Sequence, residues 1–286
     1  MQLFDNIRIS VALVTRNRPE SLERTLTSIR DQDVQPWEVV VSDDSDEEHT
    51  EPTKQLAERY NCKYVRGPQR GLYANRNHAA LACNGTHMRT MDDDHEFPPG
   101  HFAASRNAVK RDPTSVWTIA EKRPQTSRLH RPGQLNLRGY PVTPSDHQDS
   151  RAIADGSTIY PRRLFEDGIL FVEDFKMGPV YLEYGSRIHR LGVRIRELRD
   201  THVFHHLEDR EITDAERHLA ARFFTMMAHA LVHDPSWRAV AMMACKMAQQ
   251  VVEKRSRAVR AIRDACTSLR SNWQVVARKR PIEWNT

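Results

Sequence analysis

Between Arg89 and Phe97 the chain reads Arg-Thr-Met-Asp-Asp-Asp-His-Glu-Phe, so that Asp92, Asp93, Asp94 and His95 set three carboxylates and an imidazole in four consecutive positions. Like charges this close raise one another's pKa, whereas a hard divalent cation lets all of them ionise and takes their oxygens as ligands. The competing reading is an acidic turn that points into water, because charge runs are usually solvated. Spacing inside the turn does not separate the two. What separates them is which other residues the surrounding elements bring alongside.

Those elements follow from the apolar pattern. Residues 7–14 form an apolar run that reads as a buried strand and leads into Thr15-Arg16-Asn17-Arg18-Pro19, whose proline suits the first turn of a helix. That helix carries Leu22, Leu26 and Ile29 on one face. A second run at 37–41 ends in Ser42-Asp43-Asp44-Ser45-Asp46. Strand, helix, strand is a parallel crossover, and ligands of such sheets gather at the carboxyl ends of the strands. The pattern repeats: a helix over 51–60, a short strand over 63–65, a loop through Gly67 and Arg70, a helix over 72–83, and a strand over 87–91 that delivers the acidic cluster. One rim therefore collects Thr15 and Arg16, Asp43 and Asp44, Arg70 with Arg76, and Asp92 to His95. Convergence of this kind favours a bound cation over a solvated turn.

With these pieces in place, the first hundred residues resemble the nucleotide-binding half of an inverting glycosyltransferase of family 2. The matching stretches are Ser-Val-Ala-Leu-Val-Thr-Arg-Asn-Arg-Pro at 10–19, Val-Val-Val-Ser-Asp-Asp-Ser-Asp at 39–46, Asn-Arg-Asn at 75–77 and Met-Asp-Asp-Asp at 91–94. The resemblance implies an α/β GT-A fold, a Rossmann-like, mostly parallel sheet flanked by helices. It also implies that Asp43 and Asp44 meet the nucleobase and that Arg76 reaches the nucleotide. Asp92-Asp93-Asp94 becomes the Asp-x-Asp motif, with Asp92 and Asp94 holding Mn²⁺ or Mg²⁺ on the diphosphate of a sugar nucleotide, most simply a uridine diphosphate sugar. Thr15, Arg16, Arg70 and Asp93 are expected around the same donor. Guanidinium pairs well with phosphate, and a bridging cation neutralises a departing diphosphate.

Residues 102–109 read as a helix and 115–120 as a strand, after which 122–150 brings four prolines and little periodicity, the signature of a functional or disordered loop. Order returns at 152, and Phe-Val-Glu-Asp at 171–174 resembles the family's Glu-Asp pair beside the acceptor. That assigns Asp174 as general base, with Glu173 as its substitute. Inverting transfer needs such a base because the acceptor hydroxyl loses its proton as it attacks. Gly178-Pro179 departs from the family pattern and should break or delay the helix that follows. A strand over 193–198 leads to Thr201-His202-Val203-Phe204-His205-His206, from which the resemblance takes His205 as a third metal ligand, with His202, His206 or His95 of the acidic cluster as alternatives.

Beyond 206, Thr213-x-x-Glu216 is a capping box. From Pro235 the apolar positions Trp237, Val240, Ala244, Met247, Val251, Ala258, Ile262, Cys266, Leu269, Trp273 and Val276 alternate by threes and fours around a larger step at Ala258. That predicts one helix of about 40 residues, about 60 Å long, whose stripe packs on the preceding helices or on a second copy of the chain. The expected organisation is a GT-A domain over 1–206, split into a nucleotide-sugar half (1–100) and an acceptor half (101–206), followed by a basic helical extension over 207–286. Residues 246–286 hold ten Lys/Arg against three acids, a balance of +7 in a chain of net charge +5. A polyanion should therefore meet the protein there first.

The 286 residues are 39% hydrophobic and 28% charged, as in a soluble folded protein. No apolar run approaches the roughly 20 residues of a membrane span, and the amino terminus lacks the basic and apolar regions of a signal peptide, so a cytoplasmic protein is expected. The cysteines (62, 83, 245, 266) are scattered, which excludes a disulfide frame or a cysteine zinc site. Two other functions compete. A nucleotidyltransferase would need a glycine-rich phosphate loop after the first strand, and that turn has no glycine. A nucleic-acid or polyanion binder would use the basic tail, which offers only Trp273 and Trp284 for stacking. The acceptor that joins both readings is a hydroxyl on a polyanion such as DNA or a cell-wall polymer.

Overall fold

β1 (Ile9–Thr15) is buried at every one of its seven positions, as a strand covered on both faces by helices must be. The computed structural model describes residues 6–126, 128–137, 140–206 and 215–284. Thr213 of the capping box lies outside them. In chain order the elements are α1 (Pro19–Arg30), β2 (Glu38–Asp43), α2 (Glu47–Arg59), β3 (Lys63–Arg66), α3 (Leu72–Ala82), β4 (His87–Asp92), β5 (His95–Glu96) and α4 (His101–Arg111). They continue with β6 (Val116–Lys122), β7 (Leu129–His130), β8 (Gln134–Leu135), β9 (Pro141–Val142), β10 (Thr158–Pro161), α5 (Arg163–Glu166), α6 (Val180–Arg190) and β11 (Ile195–His205). Last come α7 (Ala215–Ala228), a π-helical turn at His229–His233, α8 (Trp237–Lys254), α9 (Ser256–Ser271) and α10 (Trp273–Val276).

The chain divides into two compact units. The first comprises the described residues of Met1–Pro132, Ala154–Leu170 and Arg196–Asp209. Its sheet runs β3-β2-β1-β4-β10-β6-β11-β5, with β7 on β6. β3, β2, β1 and β4 are parallel, while β10 lies antiparallel to both β4 and β6. This is the mixed, mostly parallel sheet expected of the GT-A fold. Register places the rim: Thr15 pairs with Asp43, Val14 with Asp92, and Asp43 with Arg66. α1 buries Leu22, Leu26 and Ile29 as its spacing requires. β11 runs well past the expected 193–198, because Thr201 to His205 also alternate as a strand, and it pairs His205 with His95.

The second unit comprises Gly133–Ile153, Phe171–Ile195 and the described residues of Arg210–Thr286. Residues 133–153 and 171–195 thus group with the C-terminal helices. The segment after Asp174 stays irregular until Val180, so Gly178 (φ +124°) and Pro179 do delay α6. The single 40-residue helix does not form. It breaks at Arg255, a non-glycine residue at φ +48°, into α8 and α9. α9 packs along α7 and buries Ala258, Ala265 and Leu269. The amino-terminal part of the stripe stays largely open: Trp237 is 77% exposed, and Val240 and Ala244 are exposed with it. No helix among the described residues is long and apolar enough to cross a membrane.

Candidate active site

The acidic turn is pinned from several sides within the first unit. The Thr25 hydroxyl on α1 faces the carbonyls of Asp93 (2.8 Å) and His95 (2.6 Å), and the His206 N–H donates to the Asp94 carbonyl (2.9 Å). The three aspartates then divide between two arginines, Asp92 on Arg76 and Asp93 with Asp94 on Arg18. Asp93 is fully buried, accepts from Thr15 Oγ1 (2.7 Å) and pairs with Arg18. Burial, with help from Asp94 and Asp92, pushes its carboxyl up to about 7 against the pull of Arg18. Asp92 is held by the buried Arg76, whose Nη2 lies 2.9 Å from its carboxylate and 3.4 Å from that of Asp155. Burial would raise Asp92, but Arg76 outweighs it and, with His95 and His205, brings it to about 2. Asp94 receives Arg18 Nη1 at 3.0 Å.

Asp94, His95 and His205 each offer one ligand atom, and these atoms lie within 4.8 Å of one another. Backbone pairing of β5 with β11 is what brings the two imidazoles together, edge to face with centroids 4.5 Å apart. Their tautomers follow from their neighbours. His95 Nδ1 is 2.9 Å from the Gly156 carbonyl, which can only accept, so Nδ1 carries the proton and Nε2 has the lone pair. Among the described residues that buried Nε2 has no hydrogen-bond partner, Glu121 Oε1 standing 4.0 Å away. His205 Nδ1 lies 2.8 Å from Glu121 Oε2, and its Nε2 is 3.6 Å from Asp94 Oδ1. Burial opposes charge on His205, but the hydrogen bond to Glu121 and the carboxylates of Glu121, Asp94 and Asp92 push it up to about 9. Burial likewise opposes the charge of Glu121, yet the His205 hydrogen bond, with His95 and His205 nearby, brings it down to about 2. The donor set fits a divalent cation. An imidazole nitrogen left without a proton or a partner in a buried site is a ligand in waiting, and each ring is held by an acceptor on its other nitrogen.

Of the other residues named from sequence, Asp43 is buried at the end of β2 and accepts from Tyr64 Oη (2.9 Å) and the Ser45 N–H (2.8 Å). Asp44 accepts from the Gln69 N–H (2.8 Å), and burial holds its carboxyl above the usual range. Arg16 is exposed and 3.4 Å from Asp46. Arg70 is exposed on the loop after β3. Arg76 is turned inward onto Asp92 and Asp155. His206 binds Glu96 (2.8 Å) and the His202 ring lies edge-on to Phe204, so among the described residues neither joins the cluster. Asp92 does not join it either, and His95 stands where the sequence reading had placed Asp92. In the second unit Asp174 is exposed and accepts from Asn272 Nδ2 (2.9 Å), with Glu173 half-buried beside it. Sequence reasoning missed Glu121, Asp155 and Arg18. Arg18 alone carried a signal, as the second arginine of the turn after β1.

A family model described as Glycosyl transferase family 2 matches residues 10–169, more than half of the chain. The chain belongs to glycosyl transferase family 2. A similar curated protein is GalNAc(5)-diNAcBac-PP-undecaprenol beta-1,3-glucosyltransferase of Campylobacter jejuni, 30% identical over 101 residues. That match covers 32% of this family 2 chain and spans about a third of its relative (31%). Similar crystal structures are GalNAc-T7 with UDP, GalNAc and Mn²⁺ (TM-score 0.64, 18% identity, 78% of this chain and 48% of that one) and S. aureus TarS (0.64, 17%, 92% and 49%). The first 349 residues of TarS with UDP-GlcNAc are also similar (0.60, 17%, 94% and 82%). These likenesses establish the GT-A fold.

Proposed function

We propose that this family 2 chain is a metal-dependent inverting glycosyltransferase that moves a sugar from a nucleotide donor, most simply a uridine diphosphate sugar, to a hydroxyl acceptor. The observation that carries the reading is the cluster of buried Asp94 and His95 with half-buried His205 at the carboxyl rim of a family 2 sheet, the His95 Nε2 making no hydrogen bond among the described residues. Asp94, His95 and His205 would hold the ion, and two nitrogen ligands favour Mn²⁺ over Mg²⁺. When bound, the ion offsets the negative charge that a diphosphate gains as it leaves.

The chain's own residues do the rest. Arg18 spans Asp93 and Asp94 and keeps the turn's charge tolerable before a cation arrives. Arg76 holds Asp92 low and out of the ligand cluster, so Asp92 and Asp93 serve as charge and scaffold behind the ion. Asp43 and Asp44 take the nucleobase side, with Thr15, Arg16 and Arg70 around the donor. Asp174 accepts the proton of the attacking hydroxyl, oriented by Asn272, with Glu173 as the neighbouring acid. The basic surface of residues 246–286 supports a polyanionic acceptor polymer.

A panel of sugar nucleotides assayed for transfer and hydrolysis with and without Mn²⁺, on wild type and Asp94→Ala, tests the reading. We expect one donor to turn over only with the metal and Asp94→Ala to lose that turnover by about a hundredfold or more. No turnover of any donor, or a variant with full metal-dependent activity, would refute it.

A further inference from the structure

We infer that α8 is a docking face for an anionic lipid bilayer. The face is built from Trp237, Ala241, Ala244, Ala248 and Val252, spaced by four, three, four and four, so that they form one line along the helix. All five are exposed, Trp237 at 77% and Val252 at 80%, and Val240 widens the line. The opposite side of α8 is the one turned to the second unit: Ala239 and Gln250 are buried, and Lys246 Nζ lies 5.7 Å from the Tyr140 ring centroid. A helix of 18 residues thus presents about 27 Å of apolar line to solvent.

Charge decides what covers it. At the first turn Arg238 lies over the Trp237 ring, 5.5 Å from its centroid, an indole and guanidinium pair suited to an interface that is apolar on one side and wet on the other. At the other end stand Lys254 on the last turn, Arg255 at the break and Arg257 at the start of α9, all exposed. The helix carries one acid, Glu253, which lies off the line and accepts from Gln249 and Gln250 (2.6 Å each). The apolar line is therefore closed at both ends by cations. A second copy laid on it, parallel or antiparallel, sets cations against cations. A nucleic acid or other polyanion satisfies the cations and leaves the apolar line wet. An anionic membrane surface meets both, with headgroups at the two ends and acyl boundary along the middle. Lys254, Arg255 and Arg257 belong to the basic stretch assigned above to the acceptor polymer, but the apolar line takes no part in that reading, and vesicle binding is measured without a sugar donor.

Flotation of the full chain with vesicles of phosphatidylcholine containing about 30% phosphatidylglycerol, and with phosphatidylcholine alone, tests it. We expect binding to the anionic vesicles only, and a drop of about tenfold or more when salt is raised from about 0.1 to about 0.5 M. Trp237→Ser with Val252→Ser, and separately Arg238→Glu with Lys254→Glu, should each cost a further tenfold or so, with melting temperature unchanged because all four sites are exposed. Wild type that stays in solution, or that floats equally well in either double variant, overturns the proposal. Equal retention of duplex DNA by wild type and Trp237→Ser/Val252→Ser, without flotation, would assign the surface to a polyanion. A concentration-dependent dimer lost in that variant, without flotation, would assign it to a second copy.

Discussion

At the level of single residues, the geometry of the Asp94, His95 and His205 cluster depends on groups outside it. Glu121 is such a group: its carboxylate fixes which nitrogen of His205 faces Asp94, and it is held ionised at about 2. Partners of this kind are typically worth ten- to a hundredfold in metal affinity. Glu121→Gln should therefore weaken Mn²⁺ binding by about that factor, read by titration calorimetry, and should also lower the metal-free melting temperature, because it removes the charge that His205 and Glu121 stabilise in each other. Wild-type affinity in the variant would mean that His205 needs no orienting. Gly156 is constrained differently. A Cβ there would sit 2.7 Å from Asp92 Oδ2 and 2.7 Å from His95 Cε1. Gly156→Ala should displace the His95 ring and cut Mn²⁺ affinity, while a variant that binds normally would show that the ring has room to give. Neither residue was legible in the sequence. Asp92 to His95 announced themselves by crowding, but Glu121 looks like any acid at a strand end and Gly156 like any turn glycine.

At the level of elements, the alternation of strands and helices through residue 122 was readable because buried parallel strands leave continuous apolar runs and amphipathic helices leave threes and fours. The pairing of β5 with β11, which joins His95 to His205 across more than a hundred residues, left no local trace. The helix break at Arg255 was equally silent, since neither glycine nor proline marks it. The consequence of that break is that α9 meets α7 through Ala258, Ala261 and Ala265, each fully buried. Small residues permit that close seam, and a larger one would force it open. Ala261→Leu should cost about 1–3 kcal/mol by overpacking, whereas Ala244→Leu on the exposed side of α8 should cost nothing measurable. Denaturant midpoints of the two variants decide the matter, and equal midpoints would place α9 elsewhere.

Across the whole molecule, burial of titratable groups sets the response to acid: contributions oppose each other in the first unit and add in the second. In the first unit, burial lowers His87 to about 4 while it raises Asp93 to about 7, so the two oppose each other as pH falls. In the second unit four histidines act together: burial lowers His229 to about 4, and it also lowers His233, His189 and His218. Glu183, held low by Arg187 and His233 against its own burial, adds a loss only below the ordinary glutamate range. The sign follows from proton counts. Below about 6.5 the unfolded chain protonates His229 and the folded chain does not, so the unfolded state binds more protons and stability falls with pH until the folded value near 4 is reached. For His229 alone the span corresponds to at most about 3 kcal/mol. Melting temperature should therefore drop between pH 6.5 and 4.5, and His229→Leu, which replaces a buried ring with no hydrogen-bond partner among the described residues, should flatten that drop. A variant whose melting temperature falls as steeply as wild type would show that His229 takes up its proton without unfolding the helices around it.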